Sequence, residues 1–236
     1  YIMSTLSHRA KNVAKNVSPL AILKRGSQRK VFNAFAEKYG FVYFGYVDQR
    51  DDEHHLLRGV TSSSSHDDHH YTVGTFETYD IAVAVRKDSI DYGDKRIKSH
   101  VWTIMTFDLH TTEEIPHIFM ANHQIRDVLL AKFTRLSPFV TQTSSSESGY
   151  KSEYTLYGQA EKYAETQFYA SEPLLAWITE HFDGLSVEII ENTLYMIATE
   201  ANPNLGRLEQ ILKNGLWLAS YIDTAARSFQ QMSQQR

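Results

Sequence analysis

The segment at residues 79–86 reads YDIAVAVR. Its odd-numbered positions are aromatic or aliphatic and its even-numbered ones are smaller or polar, a period of two that indicates a β-strand with one buried face. The segments 70–77 before it and 98–109 after it are also rich in aromatic and β-branched residues. Together they predict an antiparallel meander, with an exposed loop over residues 87–95.

Further elements follow from the same patterns. Ser171 is placed to cap a helix that ends at Phe182, and Asn204 opens a long C-terminal helix. Strands over 186–190 and 194–199 form a hairpin around Glu191-Asn192. A helix over 27–39 is expected to start at Ser27, because Gly26 precedes it. The remaining predicted elements are strands over 41–47, 56–60, 115–120, 153–157 and 167–170 and a helix over 125–136.

These elements predict an α+β fold, in which an antiparallel meander sheet is extended by a C-terminal hairpin and helices pack on one face. The single α+β domain spans residues 27–228, between a basic N-terminal arm (1–26) and a polar tail (229–236). No apolar run approaches the roughly 18 residues that a membrane-spanning helix needs. The chain has no cysteine, which excludes disulfides and thiolate metal sites.

The charges are unevenly distributed. The first 36 residues contain seven basic side chains and no acidic one, whereas the other 200 carry 17 basic and 28 acidic side chains, a net of −11. Such an arm suits an anionic surface, either the cytoplasmic face of a membrane or nucleic acid. An acidic body repels a phosphate backbone, so only the arm could bind nucleic acid, which makes a nucleic-acid-binding accessory the weaker possibility. The predicted membrane-binding residues are Arg9, Lys11, Lys15, Lys24, Arg25, Arg29 and Lys30.

A second cluster combines histidines with carboxylates. The polar segments 51–55 and 66–70 border a run of four serines. Neutral imidazoles and carboxylates suit Zn²⁺, Ni²⁺ or Cu²⁺, but solvated loops often have this composition without a ligand. Both interpretations stay open, and we expect no resident cofactor. The candidate metal ligands are His54, His55, His66, Asp67, His69 and His70.

Catalytic motifs are absent from the sequence: there is no G-x-S-x-G and no glycine-rich phosphate loop. Three carboxylate pairs could serve acid–base chemistry: Glu113 with Glu114, Glu188 with Glu191, and Asp80 with Asp108. Alternation along the strand places Glu188 on the solvent face, so no catalytic residue is assigned. Three aromatic residues are expected in the core or on a partner surface: Trp177, Trp217 and Tyr221.

Three motifs of the last third occur together: EYTLY at 153–157, SEP at 171–173 and EIIENTLY at 188–195. In this order they resemble a large uncharacterised family of bacterial proteins, frequent in candidate-phyla-radiation bacteria including Saccharibacteria. A more distant similarity is to the DUF3137 domain. Tyr154 and Ser186 depart from the family pattern, which has Phe and Asp there. The resemblance implies that a membrane-spanning segment often precedes such a domain, and it implies no activity.

These observations predict a non-enzymatic interaction domain, cytoplasmic and peripheral to the inner membrane face through its basic arm. An anionic membrane surface or another protein is the expected partner, and the oligomeric state is left open. The alternative is a metal-dependent hydrolase that uses the histidine and aspartate cluster.

Overall fold

The computed structural model describes residues 19–46, 65–91, 97–122, 136–139 and 154–234 of the 236-residue chain. The helices in these ranges are α1 (Pro19–Tyr39), α2 (Tyr163–Tyr169), α3 (Glu172–His181) and α4 (Leu205–Gln234). The strands are β1 (Val42–Tyr46), β2 (Ser65–Phe76), β3 (Tyr79–Asp91), β4 (Ile97–Asp108), β5 (Ile118–Asn122), β6 (Ser137–Phe139), β7 (Tyr154–Gly158), β8 (Ser186–Ile190) and β9 (Thr193–Ala198).

The long hairpin of β3 and β4 is central to the sheet. Ile81 lies opposite Phe107, and the register continues without a break to Asp91. The predicted alternation is confirmed, because the odd-numbered side chains of residues 79–85 are buried in the main core. The loop expected over 87–95 is wrong in its first part, since β3 continues through these polar residues and pairs their backbone with β4.

The strands form one nine-stranded sheet in the order β1-β2-β3-β4-β9-β8-β5-β7-β6, and the paired strands are antiparallel. The C-terminal hairpin lies between β4 and β5, so it extends the meander as predicted. Its turn residues Glu191 and Asn192 have φ of 49° and 57°, the type I′ geometry that suits the strand twist. Asn192 also accepts the Ile115 N–H (3.1 Å) and donates to the Thr111 carbonyl (3.2 Å).

Helices cover one face of this sheet. Side chains of α1, α3 and α4, among them Phe35, Ile178 and Leu212, share one core with the sheet. The opposite face is buried as well, in a second cluster that includes Trp102 and Tyr157. None of the described helices contributes a residue to that second cluster. The predicted α+β class is confirmed.

Buried charged residues lie on the second face. Arg86 donates two hydrogen bonds to Asp68, from Nε to Oδ1 (2.7 Å) and from Nη2 to Oδ2 (2.8 Å). The Trp102 indole donates to Asp88 over 2.8 Å. Because all four residues are buried, each charge depends on its partner to replace lost hydration.

Two predicted elements are wrong. Helix α1 begins at Pro19 rather than at Ser27, since proline is preorganised for the first helical turn. Residues 167–170, predicted as a strand, lie at the end of α2. Their aromatic composition favours strands, but here Phe168 packs against Phe229 of α4, with ring centroids 5.3 Å apart. Helix α4 also continues through residues 229–234 of the predicted tail. The predicted strand 56–60 and residues 125–135 of the predicted helix lie outside the described residues.

Two contacts hold α4 against the sheet. Gly215 packs directly on the Phe107 ring of β4, so that a Cβ at this position would overlap the ring. Further along, the buried Asp223 accepts hydrogen bonds from the Tyr79 hydroxyl (2.7 Å) and the His110 backbone N–H (3.0 Å). Burial, followed by this bond to Asp223, raises the pKa of Tyr79. The helix is thereby anchored to the ends of β3 and β4.

We expect Gly215→Ala to destabilise the protein by about 1–3 kcal/mol, because the added methyl must displace a fully buried ring. Helix propensity alone would give the opposite sign, since alanine in a helix is favoured over glycine by about 1 kcal/mol. Gly206→Ala in the first turn of α4 is the matched control: its Cβ would meet only Asn204 Oδ1 at 3.4 Å. Urea denaturation of both variants should show opposite signs, and a stabilised Gly215→Ala would contradict the close packing.

Candidate functional site

A groove of 680 Å³ lies between α4, the end of α1 and the β2–β3 turn. Tyr39 and Phe76 form one wall, with Glu77 of the turn at its end. The other wall is a stripe of α4 that starts at Glu209 and ends at Thr224. The two walls come together because Tyr39 packs edge-on against Phe76, with centroids 5.2 Å apart.

The α4 stripe has helical spacing. Its members are Glu209, Leu212, Lys213, Leu216, Trp217, Ser220, Tyr221 and Thr224. Steps of three and four residues place them on one side of the helix over about four turns, roughly 22 Å. This side adjoins the buried stripe that anchors α4, so the groove follows the helix.

Stacked aromatic rings close the groove at α3. The Trp177 and Trp217 rings are nearly parallel, with centroids 3.6 Å apart, and Tyr221 continues the stack 5.7 Å beyond Trp217. His181 lies 4.2 Å from Trp177 on its other side. The prediction placed these aromatics in the core or on a partner surface, and Trp217 is in fact 37% exposed. An exposed tryptophan held rigidly by neighbours is typical of recognition surfaces.

The rim of the groove is charged. Lys38 donates a 2.7 Å hydrogen bond to Glu209, and this bond is the main reason that the pKa of Lys38 is raised. Glu77 and Lys213 are exposed on opposite walls. The rim therefore combines both signs of charge around an apolar floor.

The turn at the end of the groove is strained. Glu77 and Thr78 have φ of 49° and 75°, and a β-branched residue in this left-handed region is a true outlier. Type I′ turns normally use Asn-Gly at these two positions. Strained residues concentrate at functional sites, and here the strain presents Glu77 to the groove.

The described members of the predicted metal-ligand set do not form a metal-binding group. Asp67, His69 and His70 lie on β2 rather than in a loop. His70 is hydrogen-bonded through Nδ1 to the Tyr43 hydroxyl (2.9 Å) and stacks on Phe32. Within the described ranges, no group of three His, Cys, Asp or Glu residues could hold a metal ion. His54, His55 and the side chain of His66 lie outside them, so the hydrolase alternative stays a prediction.

The basic arm is only partly described. Arg29 and Lys30 are exposed on α1. Lys24 and Arg25 lie within the same helix, although their side chains are outside the described part. The other three predicted membrane-binding residues, Arg9, Lys11 and Lys15, fall outside the described residues.

The carboxylate pairs differ from expectation. Glu188 is buried, not solvent-facing, and Oε1 lies 2.7 Å from His117 Nε2. The expectation failed because it assumed that one face of the sheet was open to water. Asp80 and Asp108 do lie near each other, and burial followed by the Asp80 charge raises the pKa of Asp108. The charges of His110 and Asp223 also act on Asp108.

Comparison with known proteins supports the fold alone. No family model matches the sequence, and no curated protein matches it. The crystal structure of the mycobacterial trehalose monomycolate transport factor A, TtfA, is similar in fold, with a TM-score of 0.56 and 10% sequence identity. The match covers 85% of this chain and 94% of the TtfA chain. The family resemblance inferred from the motifs stays a prediction.

The described ranges contain four α-helices, α1 to α4. None of them combines the length and the apolar composition needed to cross a membrane.

Replacing the strained turn by Asn-Gly (Glu77→Asn with Thr78→Gly) should stabilise the protein by about 1 kcal/mol, because relief of strain exceeds the entropy cost of glycine. Asn192→Gly in the β8–β9 turn is the control. It has the same backbone geometry but loses two hydrogen bonds, so it should destabilise. Thermal and urea unfolding measure both. If the Asn-Gly replacement destabilises the protein, the backbone at Thr78 is not strained.

Proposed function

We propose that this protein is a non-enzymatic interaction domain that works at the cytoplasmic face of the membrane. In this proposal the basic N-terminal residues hold it on anionic lipid, and the aromatic groove takes a segment of a partner protein. The observation that carries the proposal is the charge asymmetry, seven basic residues ahead of a body of net charge −11. The fold shared with a transport factor, TtfA, is consistent with such an accessory role.

Electrostatic attraction suits the distribution of these charges. Each basic residue held near an anionic leaflet contributes up to about 1 kcal/mol, while the acidic body is repelled from the same surface. The resulting field orients the molecule with the start of α1 toward the lipid. The exposed Arg29 and Lys30 continue the basic surface onto the folded domain.

The shape of the groove favours a helical ligand. It runs along about 22 Å of α4, the length of some 15 residues of a second helix. Leu216, Trp217 and Tyr221 offer partly exposed apolar surface along this stretch, which suits a ligand with apolar side chains at i, i+3 or i+4, and i+7. The occupant we propose is therefore an amphipathic helix of a partner protein.

The membrane role predicts that binding depends on where the positive charges lie rather than on their number. Co-sedimentation with phosphatidylglycerol vesicles should fall by about tenfold or more when four arm residues become glutamine. The arm variant carries Lys11→Gln, Lys15→Gln, Lys24→Gln and Arg25→Gln.

A matched control also replaces three lysines and one arginine, but at exposed positions of the body. It carries Lys87→Gln, Lys162→Gln, Lys213→Gln and Arg227→Gln. This variant should bind phosphatidylglycerol nearly as well as the intact chain, and no protein should sediment with neutral phosphatidylcholine vesicles. If both variants lose the same amount of binding to phosphatidylglycerol vesicles, the membrane proposal is wrong.

If the groove binds an amphipathic helix, a cross-linker placed in the groove should label a peptide of that kind. A photoreactive benzoylphenylalanine at Ser220, exposed within the groove, should label a peptide of a membrane-fraction protein. We expect apolar residues in that peptide at helical spacing. The same probe at Lys87, exposed on β3, should not label it. A labelled segment without helical periodicity, or equal labelling from both positions, would contradict the proposed ligand.

A further inference from the structure

A second pocket, of 400 Å³, lies where α1 meets the sheet edge. Gln28 and Arg29 of α1 line one side, Tyr43 and His70 line another, and Asn202 of the β9–α4 connection closes it. None of the described residues that line it is acidic. Its positive charge comes from Arg29, one of the seven basic residues among the first 36.

Gln28 brings a buried hydrogen-bond acceptor to this pocket. Its side chain is only 8% exposed, and its Oε1 has no hydrogen-bond partner. An unsatisfied buried acceptor is costly, and a ligand that supplies a donor would remove that cost. The neighbouring Arg29 is exposed and carries the positive charge of the pocket.

The opposite wall is rigid. The Tyr43 hydroxyl is bonded to His70 Nδ1 (2.9 Å), and the His70 ring stacks on Phe32 at 5.0 Å. His70 has φ of 58°, and the register between β1 and β2 breaks at Gly45, so bulged backbone shapes the pocket. Bulges and left-handed residues commonly aim side chains at sites. The Arg29 charge opposes the rise that burial causes in the pKa of Tyr43, so the guanidinium is within electrostatic reach of this wall.

From these groups we infer that the pocket binds a phosphate ester that carries a nearby hydroxyl group. The Arg29 guanidinium would pair with the phosphate, and Gln28 Oε1 would accept a hydrogen bond from the hydroxyl. A glycerophosphate has both groups. It could come from the headgroup of phosphatidylglycerol or from free glycerol phosphate. The lipid source rests on the proposed function, since the arm would bring the pocket to the leaflet.

Two lipids of equal charge test the hydroxyl contact. Phosphatidylglycerol carries hydroxyl groups, whereas phosphatidylmethanol has the same phosphodiester without any. We expect the intact chain to prefer phosphatidylglycerol vesicles by about two- to tenfold, the value of one hydrogen bond. Gln28→Leu should abolish this preference and still fold, because it fills a similar volume and removes an unsatisfied acceptor. Arg29→Gln, at an exposed position, should weaken binding to both lipids.

NMR titration of the intact chain with glycerol 3-phosphate tests whether the pocket binds a free phosphate ester. We expect shifts in the Gln28 and Gly45 signals that inorganic phosphate does not reproduce. In the Gln28→Leu variant, the Gly45 signal should no longer shift. If both lipids bind equally, the binding depends on the arm and these shifts are absent, the pocket does not bind a phosphate ester. The membrane proposal would then still hold. The shifts without vesicle binding would support a free phosphate ester as ligand and overturn the membrane proposal.

Discussion

The contact between Gly215 and the Phe107 ring sets the position of α4, and the groove depends on that position. With no side chain at 215, the helix backbone approaches β4 directly, and two residues further along Trp217 stacks on Trp177. Asp223 fixes the rotation of the helix two turns later through Tyr79. One small residue in the sheet-facing stripe thus determines which side of α4 is buried and which side lines the groove.

Because both sheet faces are buried, sequence patterns wrongly assigned some buried polar residues to a solvent-exposed face. A period of two distinguishes two faces but does not tell whether the second faces water. Glu188 therefore looked like a solvent residue, and the partnership of Arg86 with Asp68, 18 positions apart, has no local signature. Such pairs are recognisable only when the strand register is known, because β2 and β3 place these two residues directly opposite each other.

Local patterns predicted most of the fold: the meander, the C-terminal hairpin and helices α3 and α4 follow from alternation, helical spacing and turn chemistry. They failed at residues 167–170, where contact with Phe229 overrides strand propensity. Of the groove, the sequence indicated Trp177, Trp217 and Tyr221, since these aromatics lie near helical stripes. It did not indicate Phe76, because the approach of the β2–β3 turn to α1 is a tertiary contact.

We propose different roles for two regions along α1: the arm and the pocket at Gln28 and Arg29 contact lipid, and the groove at Tyr39 stays free for a protein. Hydrogen exchange of the intact chain, with and without phosphatidylglycerol vesicles, measures this division most directly. We predict slowed exchange in residues 1–30 and along β1, and unchanged exchange over residues 209–224 of α4. Protection confined to α4, or no protection anywhere, would contradict it.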